Sequence, residues 1–105
     1  MKLNMLERVI AIGIIDSYEQ GNFMTFKILD NLKHKIIVTE DEVIRFELKF
    51  ENNAYYWNSL GNEPIDFDLT DMEVKMLKDK LVSMDENNKL TPNHISLYEK
   101  IVIGQ

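Results

Sequence analysis

Ahead of three helical patterns in this chain a residue able to cap a helix stands three places before a glutamate: Asn4 with Glu7, Thr39 with Glu42, and Thr70 with Glu73. In such a capping box the first side chain accepts the N–H of the third helical residue, and the glutamate reaches back to the N–H of the cap. Two donors that the helix start leaves unmatched are thereby satisfied, so each box fixes where a helix begins. Apolar residues behind the boxes then repeat at helical spacing. The first helix carries Met5, Leu6, Val9, Ile10 and Ile12 and is expected to end at Gly13. A second, from about Asn22 to His34, sets Met24, Ile28, Leu32 and Ile36 along one stripe. Leu29 lies beside that stripe and Phe23 and Phe26 widen it, which predicts a largely buried helix. Thr39 opens a short third helix. Thr70 opens a fourth that runs to about Met84, with Val74, Leu77, Leu81 and Met84 inward. Thr91 and Pro92 start the last, whose stripe is Ile95, Tyr98, Ile101 and Val102 and whose stop is Gly104.

Between the boxes the period changes. From Ile44 to Glu51 apolar and charged residues alternate, which predicts a half-buried strand. Asn52-Asn53 suits a two-residue hairpin turn, because asparagine tolerates positive φ. The register then sets Glu51 against Ala54, Phe50 against Tyr55 and Lys49 against Tyr56, with Leu48, Phe50, Tyr55 and Trp57 facing the core. Ile65, Phe67 and Leu69 alternate with Asp66 and Asp68 as a third strand. The expected fold is α+β in one domain over residues 1–105: winged-helix-like N-terminal helices, a three-stranded antiparallel meander and two C-terminal helices.

Composition bounds the function. Without cysteine there is no disulfide, thiolate metal site or cysteine nucleophile. The longest apolar run, Val9 to Ile15, is too short for a membrane span, and no signal peptide opens the chain, so a cytoplasmic protein is expected. Of the net charge of −6, residues 39–88 hold thirteen acidic and five basic side chains. Such a segment repels phosphate backbones, and nucleic acid is an unfavoured partner. It reads as solvated surface, with a face for a basic partner as the sharper alternative.

No reaction constellation stands out, and neither a cofactor nor an enzymatic activity is expected. Asp66 and Asp68 share a strand face with Glu63 nearby, but no glycine-bearing calcium loop surrounds them. His34 and His94 lie in different elements, and no serine sits in a nucleophile elbow. Contact residues are better marked. Tyr56 points away from the core beside Lys49, as a tyrosine that contacts a protein or stacks on bases would. Met72 and Met76 lie four apart, off the main stripe of their helix, and suggest a partner strip or a homodimer. The sequence thus favours a non-enzymatic interaction module that binds a protein partner or itself. A winged-helix-like DNA-binding regulator is the alternative, carried by element order and by Lys27, Lys33 and Lys35.

The opening Leu3-Asn4-Met5-Leu6-Glu7-Arg8-Val9-Ile10-Ala11-Ile12-Gly13-Ile14-Ile15, the Glu19-Gln20-Gly21-Asn22-Phe23 turn, and Lys89-Leu90-Thr91 with Ser96-Leu97-Tyr98-Glu99-Lys100 are similar to small uncharacterised proteins of bacteriophages and prophages. The resemblance spans nearly the whole chain and its motifs are structural. It implies a mobile-element accessory protein, for which the partner would be a host factor, and it carries over no site residues.

Overall fold

The computed structural model describes residues 1–104 and has an α+β fold. Each box starts a helix where the sequence places it. Strand β1 (Lys2–Leu3) leads into α1 (Met5–Asp16), closed by Asn4 Oδ1 accepting the Glu7 N–H and Glu7 Oε1 accepting the Asn4 N–H, both at 2.9 Å. Helix α2 (Phe23–Ile36) is capped by Asn22, whose Oδ1 accepts the Thr25 N–H at 2.8 Å. Thr39 and Glu42 open α3 (Glu40–Arg45), and Thr70 and Glu73 open α4 (Asp71–Glu86), by the same reciprocal bonds. A 3₁₀ turn at Pro92–His94 enters α5 (Ile95–Tyr98), which a π turn over Glu99–Ile103 continues until Gly104 stops it at φ 88°. The long helices and the last one enclose a core centred on Ala11, Ile14, Leu32, Leu77, Leu81 and Leu97.

Three helical expectations need correction. Gly13 does not end α1: it sits inside the helix on the solvent side, and the chain leaves at Ser17 in right-handed geometry. Helix α2 is not largely buried. Only Leu29, Leu32 and Ile36 are, and Phe23 at its start is 80% exposed, because α1 and α4 reach only the C-terminal half of its stripe. In the last helix Leu97 and Ile101 turn inward, and Ile95 is exposed.

The alternation of 44–51 yields to the box before it. Helix α3 runs on through Arg45 and ends in a Schellman motif: the Glu47 N–H bonds to the Ile44 carbonyl and the Leu48 N–H to that of Val43, with Glu47 left-handed at φ 52°. Only Lys49–Glu51 becomes strand β2. It pairs with β3 (Ala54–Tyr56) around Asn52 and Asn53, at φ 52° and 63°, in the expected register of Lys49 with Tyr56, Phe50 with Tyr55 and Glu51 with Ala54. Strand β4 (Ile65–Asp66) does not complete a meander. A 3₁₀ turn at Ser59–Asn62, tucked under Trp57 at the buried Gly61, carries the chain away from the hairpin. Strand β4 pairs instead with β1, Lys2 opposite Asp66 and Leu3 opposite Ile65, giving two separate two-stranded sheets.

Candidate interaction surface

Arg8 occupies the buried stripe of α1, three residues from Met5 and three from Ala11, and is 2% exposed. Its guanidinium serves the joint between α2 and α3. Nε donates to the Ile36 carbonyl at 3.0 Å and Nη2 to that of Ile37 at 3.1 Å, satisfying acceptors that the end of α2 leaves open. Nη1 and Nη2 also grip both Glu42 oxygens at 2.9 Å, and the cation lies 4.9 Å from the centre of the Phe67 ring. Held by Arg8 and by its own cap, the Glu42 carboxyl is lowered from 4.5 to about 2.

The other two box glutamates are used the same way. Burial alone would raise Glu7, but Lys100 Nζ at 2.7 Å, the Ser96 hydroxyl and the Asn4 N–H outweigh it and hold the carboxyl below its ordinary range. Burial works likewise against Glu73, and Lys35 Nζ at 2.7 Å with the Thr70 N–H wins. Each glutamate therefore begins one helix and ties it to a distant element through one cation.

The joint that Arg8 fixes forms one wall of a groove of about 490 Å³. Val9 and Ile12 of α1, Ile37 and Val38 of the α2–α3 link, Val43 of α3, and Leu48 and Tyr55 of the hairpin line it. Asp16 and Lys33 sit at its rim as an ion pair of 2.8 Å. At the hairpin the Phe50 and Tyr55 rings meet tilted at 47° with their centres 4.8 Å apart, as directly opposed cross-strand aromatics can. They do not face the core as their alternation predicts. With no third strand or helix across them, they are 60% and 50% exposed, and Ile44 of α3 is 77% exposed.

Tyr56 is exposed and paired with Lys49, as the register requires, on the opposite hairpin face from Phe50 and Tyr55. Met72 and Met76 do not share surroundings: Met72 is half exposed, whereas Met76 packs against the core and its carbonyl accepts the Tyr18 hydroxyl at 2.7 Å. The structure does not bring Tyr56 and the two methionines into contact with one another by any hydrogen bond, and it adds Phe50, Tyr55 and Ile44 as exposed apolar residues. The signal for Arg8 was a charge on an apolar helical stripe. For the exposure of Phe50 and Tyr55 there was no local signal, because it depends on the path of the chain beyond Trp57.

Both histidines are engaged locally. His34 Nδ1 lies 2.8 Å from the Asp30 carbonyl, and His94 Nδ1 accepts the Thr91 N–H at 3.0 Å. Asp66 meets the Met1 amino group at 3.1 Å. Among the described residues no three His, Asp or Glu side chains gather as metal ligands, and no helix is long and apolar enough to cross a membrane. No protein-family model, curated protein or solved structure matches the chain.

Proposed function

We propose that this chain is a non-enzymatic interaction module, in the setting of a phage or mobile-element accessory protein, that takes a protein partner on the face made by α3 and the hairpin. The observation that carries the reading is the exposed Phe50–Tyr55 aromatic pair, whose Tyr55 lines the apolar groove. Aromatic side chains on a rigid base are the usual anchors of protein recognition. Their base is rigid because Arg8 locks the α2–α3 joint and Asn58 ties the hairpin to α3, donating from Nδ2 to the Arg45 carbonyl at 3.0 Å and from its N–H to the Phe46 carbonyl at 2.8 Å. Tyr56 extends the contact onto the other hairpin face, and Met72 offers a separate apolar point on α4.

A photo-cross-linking residue at Ile44 tests the reading. It should trap one defined protein, a second copy included, while the same residue at the exposed Lys78 of α4 should not. Equal, unspecific labelling from both positions refutes the reading.

A winged-helix DNA-binding function is the second reading, favoured by three helices followed by a hairpin. Against it, α3 has Glu40, Asp41 and Glu42 in its first turn and Arg45 as its one basic residue. The expected outcome is no binding to random duplex tighter than about 10 μM at physiological salt. Sub-micromolar, salt-sensitive binding by anisotropy would restore the DNA reading.

A further inference from the structure

We infer that the hairpin face is completed by a second copy of this chain, the β2 strands of the two copies pairing antiparallel about a two-fold axis at Phe50. The inference rests on the reading of the α3–hairpin face as a binding surface, and it names the occupant. Three observations carry it.

The first is a free edge. In a two-residue hairpin the pair beside the turn, here Glu51 and Ala54, is hydrogen-bonded, and pairs alternate from there. The N–H and C=O of Lys49 and Glu51 therefore point to β3, and those of Phe50 point away from it. Among the described residues no strand pairs with that outer edge of β2. An antiparallel partner centred on Phe50 would exchange two N–H···O=C bonds with it, the mode by which exposed edges recruit further chains.

The second is charge. The strand reads Lys49-Phe50-Glu51. Antiparallel pairing with an identical strand about Phe50 sets Lys49 of each copy opposite Glu51 of the other. Two opposite-charge pairs form on one face of the joined sheet, beside Tyr56, and both copies contribute Phe50 and Tyr55 to the other face. The outer edge of β3 has no such match, since a partner centred on Tyr55 would set Ala54 opposite Tyr56.

The third is area. A folded monomer of this mass exposes about 6,100 Å². This chain exposes 6990 Å². The excess, on the order of 900 Å², is within the range that one partner contributes to an interface of standard size. The radius of gyration of 13.7 Å likewise exceeds the value of about 13 Å expected for a chain of this length. A two-fold interface is built from one patch used twice.

Sedimentation equilibrium of the whole chain from about 5 to about 500 μM tests the proposal. The parent should dimerise in that range. Lys49→Glu and Glu51→Lys each place like charges opposite one another twice, and each should raise the dimer Kd at least about tenfold. The double exchange Lys49→Glu with Glu51→Lys restores complementarity and should return the Kd to within about threefold of the parent. Circular dichroism establishes that the variants are folded. Amide exchange in the unaltered chain gives a measurement that no substitution can confound: protection of the Phe50 N–H should rise with protein concentration.

A parent that stays monomeric, single variants that dimerise like the parent, a double exchange that fails to restore a folded dimer, or Phe50 protection independent of concentration would each overturn self-pairing. A monomeric parent whose Ile44 cross-linker still traps a different protein overturns the second copy and leaves the binding face standing. A monomeric parent that traps nothing overturns both.

Discussion

Replacing Arg8 with methionine keeps much of the apolar stem and removes the guanidinium. The substitution leaves the Ile36 and Ile37 carbonyls without their side-chain donors and Glu42 without its fork. Hydrogen bonds from charged donors contribute about 1.5–3 kcal/mol each, and naive addition of four would exceed the stability of many small domains. Much of that sum is recovered, because Glu42 is only partly buried and can regain water once released. The net cost should fall near the usual 3–5 kcal/mol for removing one partner of a buried ion pair. In urea, with a slope of about 1.5 kcal/mol/M, the midpoint should drop by roughly 2 M or more, and Tm by at least about 12 °C.

Arg8→Lys sharpens the test. Lysine keeps the charge but cannot present a planar fork to one carboxylate and two carbonyls at once. It should lose roughly half as much stability as methionine, and in a cycle with Glu42→Gln the Arg8–Glu42 coupling should be about 1–3 kcal/mol. An Arg8→Lys protein as stable as the parent would refute the argument that fork geometry holds this joint. An additive cycle would refute the pairing itself.

Acid should weaken the fold in a defined window. The Glu42 carboxyl is depressed in the folded state, so the unfolded chain binds protons first, and the stabilisation is fully present above about 4.5 and lost as pH falls toward about 2. A shift of that size corresponds to about 3 kcal/mol, which solvent around the partly exposed carboxylate reduces to the order of 1–2 kcal/mol. Urea midpoints between pH 6 and 2 should fall less steeply in Glu42→Gln than in the parent; identical slopes would contradict the assignment. Gly13→Ala should stabilise by about 0.5–1 kcal/mol, since the position is helical and a Cβ there meets nothing within 4 Å. A lowered Tm would show that α1 does end at Gly13. Gly61→Ala should destabilise by about 1–3 kcal/mol, because its Cβ would stand 2.7 Å from Trp57 Cδ1 and 3.2 Å from Met5 Cβ. An unchanged melt would mean that Trp57 does not cover this turn.

Features set by neighbours in sequence were legible. The boxes at Asn4, Thr39 and Thr70 each join residues three apart, and the Lys49–Tyr56 register follows from a turn two residues long. Distant choices were not. Nothing within Ile65–Asp66 reveals that its partner is Lys2–Leu3, which a pairing across more than sixty residues decides. The alternation from Ile44 to Glu51 is also consistent with what the chain does: it spans the last turn of a helix, a Schellman reversal and a short strand. Its period of two is produced by three geometries in succession. The candidate surface was hidden for a related reason. Alternation shows that Phe50 and Tyr55 share a face, but whether another layer covers that face depends on where residues 57–70 go.

Stability and exposed aromatic surface are consequently carried by different parts of the chain. The helical body has its own core, and the cations Lys100, Arg8 and Lys35 join each box to another element. The hairpin adds little to that body. Its two aromatics, left open, forgo part of the roughly 1.5–3 kcal/mol that burying each would contribute. A chain selected only to fold could have placed serine at both positions at little cost to its core. Arg8 links the two parts: the guanidinium that closes the helical body also fixes Ile37 and, through Glu42, the start of α3, whose Val43 walls the groove. Exposed apolar groups held on so fixed a base lose little conformational freedom when a partner covers them, and that low entropic cost is what recognition requires.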